Sequence, residues 1–147
     1  MGQFFEELQE GETRRSRGRT VTETDIVNFA ALTGDWMELH VNEEYARQSY
    51  FGRRIAHGAL IFSLSTGLAV RMGTVDDTVI AFYGVDKLRF VKPVFIGDTI
   101  WVRETVQGKT VKDDRGGIVT LLTEVVNQRD EVVLAYTGKV LIKRKPE

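Results

Sequence analysis

The chain has 147 residues, a length typical of one domain that is large enough to bury its own core. Its 20 basic and 21 acidic residues nearly balance, which argues against a nucleic-acid partner because no strongly basic surface is available. The absence of cysteine excludes disulfides and thiolate metal sites.

The N-terminal segment has no recognisable targeting signal. It is acidic, whereas a secretory signal peptide has a basic region followed by an apolar core. The longest apolar run, residues 59–70, is too short to span a bilayer. We therefore expect a cytoplasmic protein with no membrane partner.

The first third of the chain predicts two helices. Residues 13–21, which precede them, are basic and partly β-branched, and predict either a short strand or an extended lead-in. Thr22 is a plausible N-cap for the first helix, and Gly34 is placed to end it. Asn42 is a plausible cap for a second, short helix that ends near Gly52.

Residues 58–72 predict one long helix. They carry no charge before Arg71 and are apolar or small on every side, so this helix is expected to be buried all round. The remaining sequence is rich in β-branched and aromatic residues and predicts four strands, over residues 79–94, 99–111, 117–126 and 131–143. Turn residues at 112–117 and 127–130 allow antiparallel hairpins. Together these elements predict an α+β domain in which a sheet wraps the helix.

Asp35 and His40 are a candidate catalytic pair. They are five residues apart, and in a continuous helix this spacing would leave the two side chains about 140° apart. A loop between Gly34 and Asn42 is therefore required for both side chains to reach one target. The spacing alone fits ordinary loop capping and surface polarity as well, so its weight comes from the context.

Gly58 opens the predicted long helix, and the first amides of a helix have no partner within it. A glycine here lets a ligand approach the backbone closely, so the Gly58 N–H can stabilise negative charge on a thioester oxygen. The alternative is a tight turn into a packed helix, with no ligand involved.

Further residues join these features into one pattern: Phe4 and Phe5 with Gly11, residues 20–25 with Phe29, residues 32–35 with His40, Tyr45 and Ala46, Phe51 and Gly52, residues 55–58 and residues 93–98. The pattern resembles the MaoC-like dehydratases, the hot-dog-fold family that includes the (R)-specific enoyl-CoA hydratases. The resemblance extends over nearly the whole chain, so we expect one such domain over residues 1–147. It implies a central helix wrapped by an antiparallel sheet, and a homodimer or a larger dimer-based assembly.

The resemblance also implies the chemistry. Asp35 and His40 are the implied catalytic pair, and Gly58 is the implied oxyanion-binding N–H. The implied enzyme is a hydro-lyase that adds water reversibly and syn across a trans-2-enoyl thioester, with no cofactor besides the coenzyme A or acyl-carrier protein of its substrate. We expect His40 to activate the water and Asp35 to deliver the proton, because an imidazole with an ordinary pKa of about 6.5 suits a base. Thr66 is expected to support the acid loop in place of the family's usual serine.

Two positions between the catalytic residues depart from the family pattern. Where the family usually has Asn and Pro, this chain has Met37 and Glu38. Met37 cannot donate a normal hydrogen bond, so either another group takes that role or the pocket accepts a different acyl group. Two alternative functions stay open, a non-catalytic acyl-CoA-binding or assembly subunit and a hot-dog thioesterase, although the long helix lacks the acid that common thioesterases use.

Four further residues are candidate substrate contacts. Trp36 and Met37 are candidates for the acyl pocket, with a place in the core as the alternative. Arg54 is a candidate partner for the phosphates of coenzyme A, with solvated surface as the alternative. His57 either contacts the substrate or positions the turn before Gly58. No metal site is predicted, because the two histidines lack ligand spacing and cysteine is absent.

Overall fold

The computed structural model describes residues 1–147 and contains both helices and strands. After a short 3-10 turn at Phe5–Glu7, the helices are α1 (Glu23–Thr33), α2 (Glu38–Val41), α3 (Glu43–Arg47) and α4 (Gly58–Val70). The strands are β1 (Thr13–Arg15), β2 (Arg19–Thr20), β3 (Val79–Phe90), β4 (Thr99–Val111), β5 (Gly116–Asn127) and β6 (Val132–Lys143). The predicted α+β class is therefore confirmed. None of the helices has both the length and the apolar composition needed to cross a bilayer.

The six strands form one antiparallel sheet in the order β1-β4-β5-β6-β3, and β2 also pairs with β4. The predicted hairpins β4-β5 and β5-β6 are confirmed. The lead-in at residues 13–21 forms the two short strands β1 and β2. Strand β3 pairs with β6 and ends at Phe90, earlier than predicted, because the next two amides, of Val91 and Lys92, both donate to the Val133 carbonyl and so break the register of the ladder.

Side-chain caps fix the helices that flank the candidate pair. The Thr22 hydroxyl accepts from the Asp25 amide at 3.1 Å, and Gly34 ends α1 with a left-handed φ of 79°. The Asn42 side chain accepts from the Tyr45 amide at 3.1 Å and so caps α3. Both predicted caps are confirmed, but α3 is shorter than predicted because the chain leaves it through consecutive tight turns.

Helix α4 packs on the inner face of the sheet, where Leu60, Ile61 and Leu68 join the main core. The prediction that this helix is buried all round is wrong for a single chain. Its exposed residues follow the helical repeat and form one stripe, consisting of Ala59, Ser63, Gly67 and Val70. One side of α4 is therefore open in the isolated chain.

Candidate active site

Asp35 lies in the loop between α1 and α2, directly after Gly34. Its side chain is exposed, and the one hydrogen bond to its carboxylate is a long one, 3.4 Å, from the Met37 amide. The backbone of the same residue is held from inside the protein, because the Asp35 carbonyl accepts from His57 Nε2 at 2.9 Å. The carboxylate is thus free to contact a ligand while its main chain is fixed.

His40 lies in the one-turn helix α2. The predicted loop between Gly34 and Asn42 is therefore wrong for the residues of this helix. The turn directs the imidazole inward, where His40 is 7% exposed. Its Nδ1 lies 2.7 Å from the Ile55 carbonyl oxygen. Because a carbonyl oxygen can only accept, Nδ1 carries the proton and Nε2 keeps a free lone pair.

The surroundings of His40 favour its neutral form. Burial lowers the pKa of His40 below its ordinary value, because the imidazolium loses its contact with water. The adjacent His57 ring lowers this pKa as well, whereas the hydrogen bond to Ile55 and the charge of Asp35 oppose the change. His40 is therefore neutral at neutral pH, as a general base must be.

His57 joins the two parts of the candidate site. Its ring stacks on that of His40, with centroids 3.8 Å apart and 29° between the planes, and Phe29 of α1 packs edge-on against it at 4.9 Å. Nε2 donates to the Asp35 carbonyl, and Nδ1 is buried without a hydrogen-bond partner. Because His57 is only 2% exposed, it has no surface for the predicted substrate contact, and the structure supports the alternative positioning role.

Gly58 is the first residue of α4, and its amide donates no backbone hydrogen bond. This free N–H fits the predicted oxyanion role. The reason for a glycine differs from the predicted one, however. A Cβ at this position would lie 2.6 Å from Cδ1 of Phe90, so the aromatic ring, not an approaching ligand, occupies the space.

Thr66 is not at the site within one chain. It lies eight residues beyond Gly58, a distance of about 12 Å along the helix. Its hydroxyl donates to the Ser63 carbonyl at 2.7 Å, inside α4. Within one chain Thr66 forms no hydrogen bond to the Asp35 loop, so its predicted support of that loop stays a prediction.

Arg54 is occupied by two carboxylates. Its guanidinium donates to Glu23 at 2.8 Å and to Glu43 at 2.7 Å, and its side chain is 14% exposed. These ion pairs connect α1 to α3. A coenzyme A phosphate would have to displace a carboxylate, so the structure argues against the predicted phosphate contact by Arg54.

Trp36 and Met37 follow Asp35 in the loop and are 52% and 61% exposed. The alternative that they belong to the core is therefore wrong. Glu38, which replaces the family's proline, begins α2 and accepts from the Asn42 side chain at 3.3 Å. The two large apolar side chains thus remain available to a ligand at Asp35.

The two histidines are far apart in sequence but adjacent in space. The ligand atoms of Asp35, His40 and His57 lie within 4.8 Å of one another. Each imidazole already donates one N–H to a backbone carbonyl, which leaves one lone pair on each ring. The sequence argument that the two histidines are too far apart to share a metal ion is therefore wrong. That the protein binds no metal stays a prediction.

The contacts that orient the two histidines were not predicted from the sequence. The Ile55 carbonyl sets the tautomer of His40, and a backbone carbonyl has no signature in a sequence. Phe29 supports His57 from α1. Its helical spacing from Ile26 was a usable signal that Phe29 faces inward.

A cleft of about 390 Å³ lies beside the start of α4. Gly58, Ile55 and Phe90 are among its lining residues, of which ten out of thirteen are hydrophobic. Its volume falls in the range of small-molecule sites, roughly 300–1,000 Å³. The free amide of Gly58 is thus next to a space that suits an apolar group.

The fold defined by this sheet and helix is a hot-dog fold. The structure matches a double hot-dog-fold protein of Mycobacterium tuberculosis with a TM-score of 0.87 at 20% identity, over 99% of this chain and 46% of that one. It matches the monoamine oxidase regulatory protein of Archaeoglobus fulgidus with a TM-score of 0.93 at 42% identity, over 99% and 97% of the two chains.

Sequence relatives identify the family. The MaoC like domain model matches residues 5–128. Protein MaoC of Klebsiella aerogenes is 47% identical over 112 residues, which are 76% of this chain and 33% of that protein. The (R)-specific enoyl-CoA hydratase of Rhodospirillum rubrum is 41% identical over 106 residues, 71% of this chain and 70% of that protein. The chain belongs to the MaoC-like dehydratase family, and its match spans about a third of the length of Protein MaoC.

Proposed function

We propose that the protein is an enoyl-CoA hydratase, which adds water reversibly and syn to a trans-2-enoyl thioester and, in reverse, dehydrates an (R)-3-hydroxyacyl thioester. The observation that carries the proposal is the environment of His40. Its Nδ1–H is held by the Ile55 carbonyl, and a ring nitrogen of His40 lies within 4.8 Å of the exposed carboxylate of Asp35. Relatives named as a hydratase and a 3-hydroxybutyryl-CoA dehydratase support the same chemistry.

In the hydration direction, Nε2 of His40 removes a proton from water while the water oxygen attacks C3. The electron pair of the C2–C3 double bond moves toward the thioester carbonyl, and the Gly58 N–H stabilises the negative oxygen. The proton gained by His40 passes through a shared water to the Asp35 carboxylate, which delivers it to C2. This transfer restores both groups for the next turnover.

The acyl group is proposed to enter the apolar cleft beside Gly58. Trp36 and Met37, exposed next to Asp35, are proposed to contact it and to replace part of the polar setting that the family's asparagine provides. The carrier is proposed to be coenzyme A or an acyl-carrier protein. Neither carrier is favoured, because the proposal does not depend on a phosphate contact by Arg54. The same site suits fatty-acid or other acyl-thioester metabolism.

We further propose that the working unit is a homodimer formed along β3. This strand is at the edge of the sheet and carries a row of exposed large apolar residues, among them Ile80, Phe82 and Tyr83. A long apolar edge of this kind is open to pairing with another chain. A second copy that pairs along β3 would continue the sheet and cover these side chains.

The test of the hydratase proposal is turnover of crotonyl-CoA and a panel of longer, branched and dicarboxylic enoyl-CoAs, followed as loss of the conjugated enoyl absorbance. Asp35→Asn and His40→Gln are each expected to lower kcat by roughly a hundredfold or more. Glu44→Gln is the matched control, because Glu44 is a carboxylate in the neighbouring helix α3 with a side chain that is 78% exposed.

Three outcomes would contradict the proposal in different ways. No turnover of any substrate, with binding retained, would favour a non-catalytic acyl-CoA-binding subunit. Release of free coenzyme A in the same assay would favour a thioesterase. Full activity of both the Asp35 and the His40 variants would show that the reaction occurs at another site.

A further inference from the structure

Glu104 is a carboxylate on the inner, apolar face of β4. The inward positions of this strand are Ile100, Val102, Glu104 and Val106, so one charged residue interrupts an otherwise aliphatic row. Glu104 is only 9% exposed. It lies in the body of the sheet, away from the loop that carries Asp35.

No protein group forms a hydrogen bond or ion pair with this carboxylate. Burial raises the pKa of Glu104, and only the charge of Arg14 opposes the change. Arg14 is the cross-strand neighbour of Glu104, but its guanidinium donates to Gln3 at 2.7 Å and to Glu12. The residue best placed to pair with Glu104 therefore bonds to two other side chains through Nη2, and no hydrogen bond joins it to Glu104.

A polar row continues from Glu104 across the sheet. Thr123 of β5 is directly opposite Glu104, and Tyr136 of β6 is directly opposite Thr123. The row ends at α4, where the Tyr136 hydroxyl lies 2.9 Å from the Ser65 hydroxyl. At this end the polar groups satisfy each other, so Glu104 is the unsatisfied end of the row.

The space in front of Glu104 is a cavity of about 130 Å³ between α4 and the sheet. Its walls are mainly apolar and include Leu121 and Val140 from the sheet and Ala69 from the helix. The one polar side-chain atom that is both fully enclosed and unpaired is His57 Nδ1. The unpaired oxygens of Glu104 are therefore not fully enclosed, and they face this cavity.

An unpaired carboxyl group in such a place is destabilising. Loss of hydration without a compensating hydrogen bond is unfavourable, whereas a valine would fit the aliphatic row without that loss. A carboxylate oxygen accepts hydrogen bonds whether or not the group is protonated. A ligand that brings a hydrogen-bond donor into the cavity would satisfy Glu104.

We propose that this cavity binds a small apolar group that ends in a neutral hydrogen-bond donor, such as a hydroxyl, with Glu104 as the acceptor. A neutral donor is favoured over an ammonium group because Arg14 also lines the cavity and a buried cation would lose its hydration. The volume fits a body of about benzene size, since a cavity of roughly 150 Å³ holds one benzene molecule. The donor belongs either to a free small molecule or to the end of an acyl chain.

Binding is tested with phenol and fluorobenzene, two probes of similar shape of which only phenol has a donor. The measurement is the methyl NMR shift of Leu121 and Val140 during titration of the full chain. Phenol is expected to bind at least tenfold more tightly than fluorobenzene. Glu104→Leu is expected to remove this preference, and Glu104→Gln, which keeps an acceptor oxygen, is expected to retain most of it.

Glu124→Leu is the matched control, because Glu124 lies on the neighbouring strand β5 and pairs with Arg103 outside the cavity. This variant is expected to leave the preference for phenol unchanged. Equal binding of the two probes to the wild-type chain would overturn the proposal, and so would the absence of shifts at the cavity methyls. An unchanged preference in Glu104→Leu would overturn the role of Glu104 even if phenol binds.

A second measurement identifies the source of the donor, and it alone rests on the proposed hydratase activity. Two enoyl-CoAs of equal length are compared, one ending in a methyl group and the other in a hydroxyl. If the donor is part of the acyl chain, kcat/KM favours the hydroxyl substrate roughly tenfold, and Glu104→Leu removes the preference. If it belongs to a separate molecule, the two substrates react equally while phenol still binds. Failure of both substrates would contradict the hydratase proposal and not the cavity.

Discussion

The imidazole rings of His40 and His57 stack with their centroids 3.8 Å apart, and only one of the two is placed to act on a substrate. His57 donates a hydrogen bond from its Nε2–H to the Asp35 carbonyl. A single buried ring thus contacts His40, the candidate base, and holds the loop of Asp35, the candidate acid. The His57 ring also helps to lower the pKa of His40. One residue therefore both favours the neutral form of His40 and holds the main chain of Asp35.

The pH dependence of hydration follows from the lowered pKa of His40. In the proposed reaction the neutral imidazole is the active form, so protonation of His40 is expected to inactivate the protein, and a lower pKa moves this loss to lower pH. We expect kcat/KM for crotonyl-CoA to be constant above about pH 6.5, the ordinary value for histidine, and to fall below it. An acidic limb centred above this pH would contradict the assignment of His40 as the buried base.

His57→Phe keeps an aromatic ring in the stack but removes the hydrogen bond to Asp35. Loss of one such bond is expected to lower kcat roughly five- to tenfold. The acidic limb of the pH profile is expected to move to higher pH, because His57 helps to lower the pKa of His40. A purely structural role for His57 would change the stability of the protein but leave the position of this limb unchanged.

Gly58→Ala tests the close contact with Phe90. The added Cβ would lie 2.6 Å from the ring, so we expect a loss of about 1–3 kcal/mol in the free energy of unfolding. Phe90→Ala in the same chain removes the obstacle and is expected to recover most of this loss in urea denaturation. If the double variant is as unstable as Gly58→Ala alone, the glycine is required for another reason.

Ile80→Lys combined with Tyr83→Lys tests the proposed pairing along β3. Wild-type protein is expected to sediment with the mass of two chains or a multiple of two, and the double variant with the mass of one chain. Leu32→Lys is the matched control, because Leu32 is 83% exposed on α1, away from the sheet edge. Sedimentation of the wild type as a single chain would contradict the proposal.

Much of the fold could be predicted because local signals were strong. Helix α1 begins after Thr22 and ends before Gly34, as predicted. The alternation of apolar and polar residues located the strands to within a few residues. The burial of α4 was overestimated, because the sequence shows that a helix is apolar but not which of its sides the same chain covers. The exposed stripe that includes Ala59 and Ser63 depends on the placement of the sheet.

The sequence was enough to select candidate reacting groups, whose roles stay predictions, but not the contacts that surround them. Asp35, His40 and Gly58 are adjacent to one loop or helix start, so spacing and resemblance were enough to select them. The contacts of Thr66 and Arg54 depend on distances between elements, which the sequence does not contain. Glu104 was also missed, although alternation with Val102 and Val106 places it inward.

The hydrogen bond from His40 Nδ1 to the Ile55 carbonyl has a consequence for variation in this family. The acceptor is part of the main chain, so a change of side chain at position 55 does not remove it. Position 55 can vary with the acyl group proposed to enter the cleft, because residue 55 lines the cleft while the tautomer of His40 depends on the backbone of residue 55. Substrate preference can thus change at this residue without loss of the base.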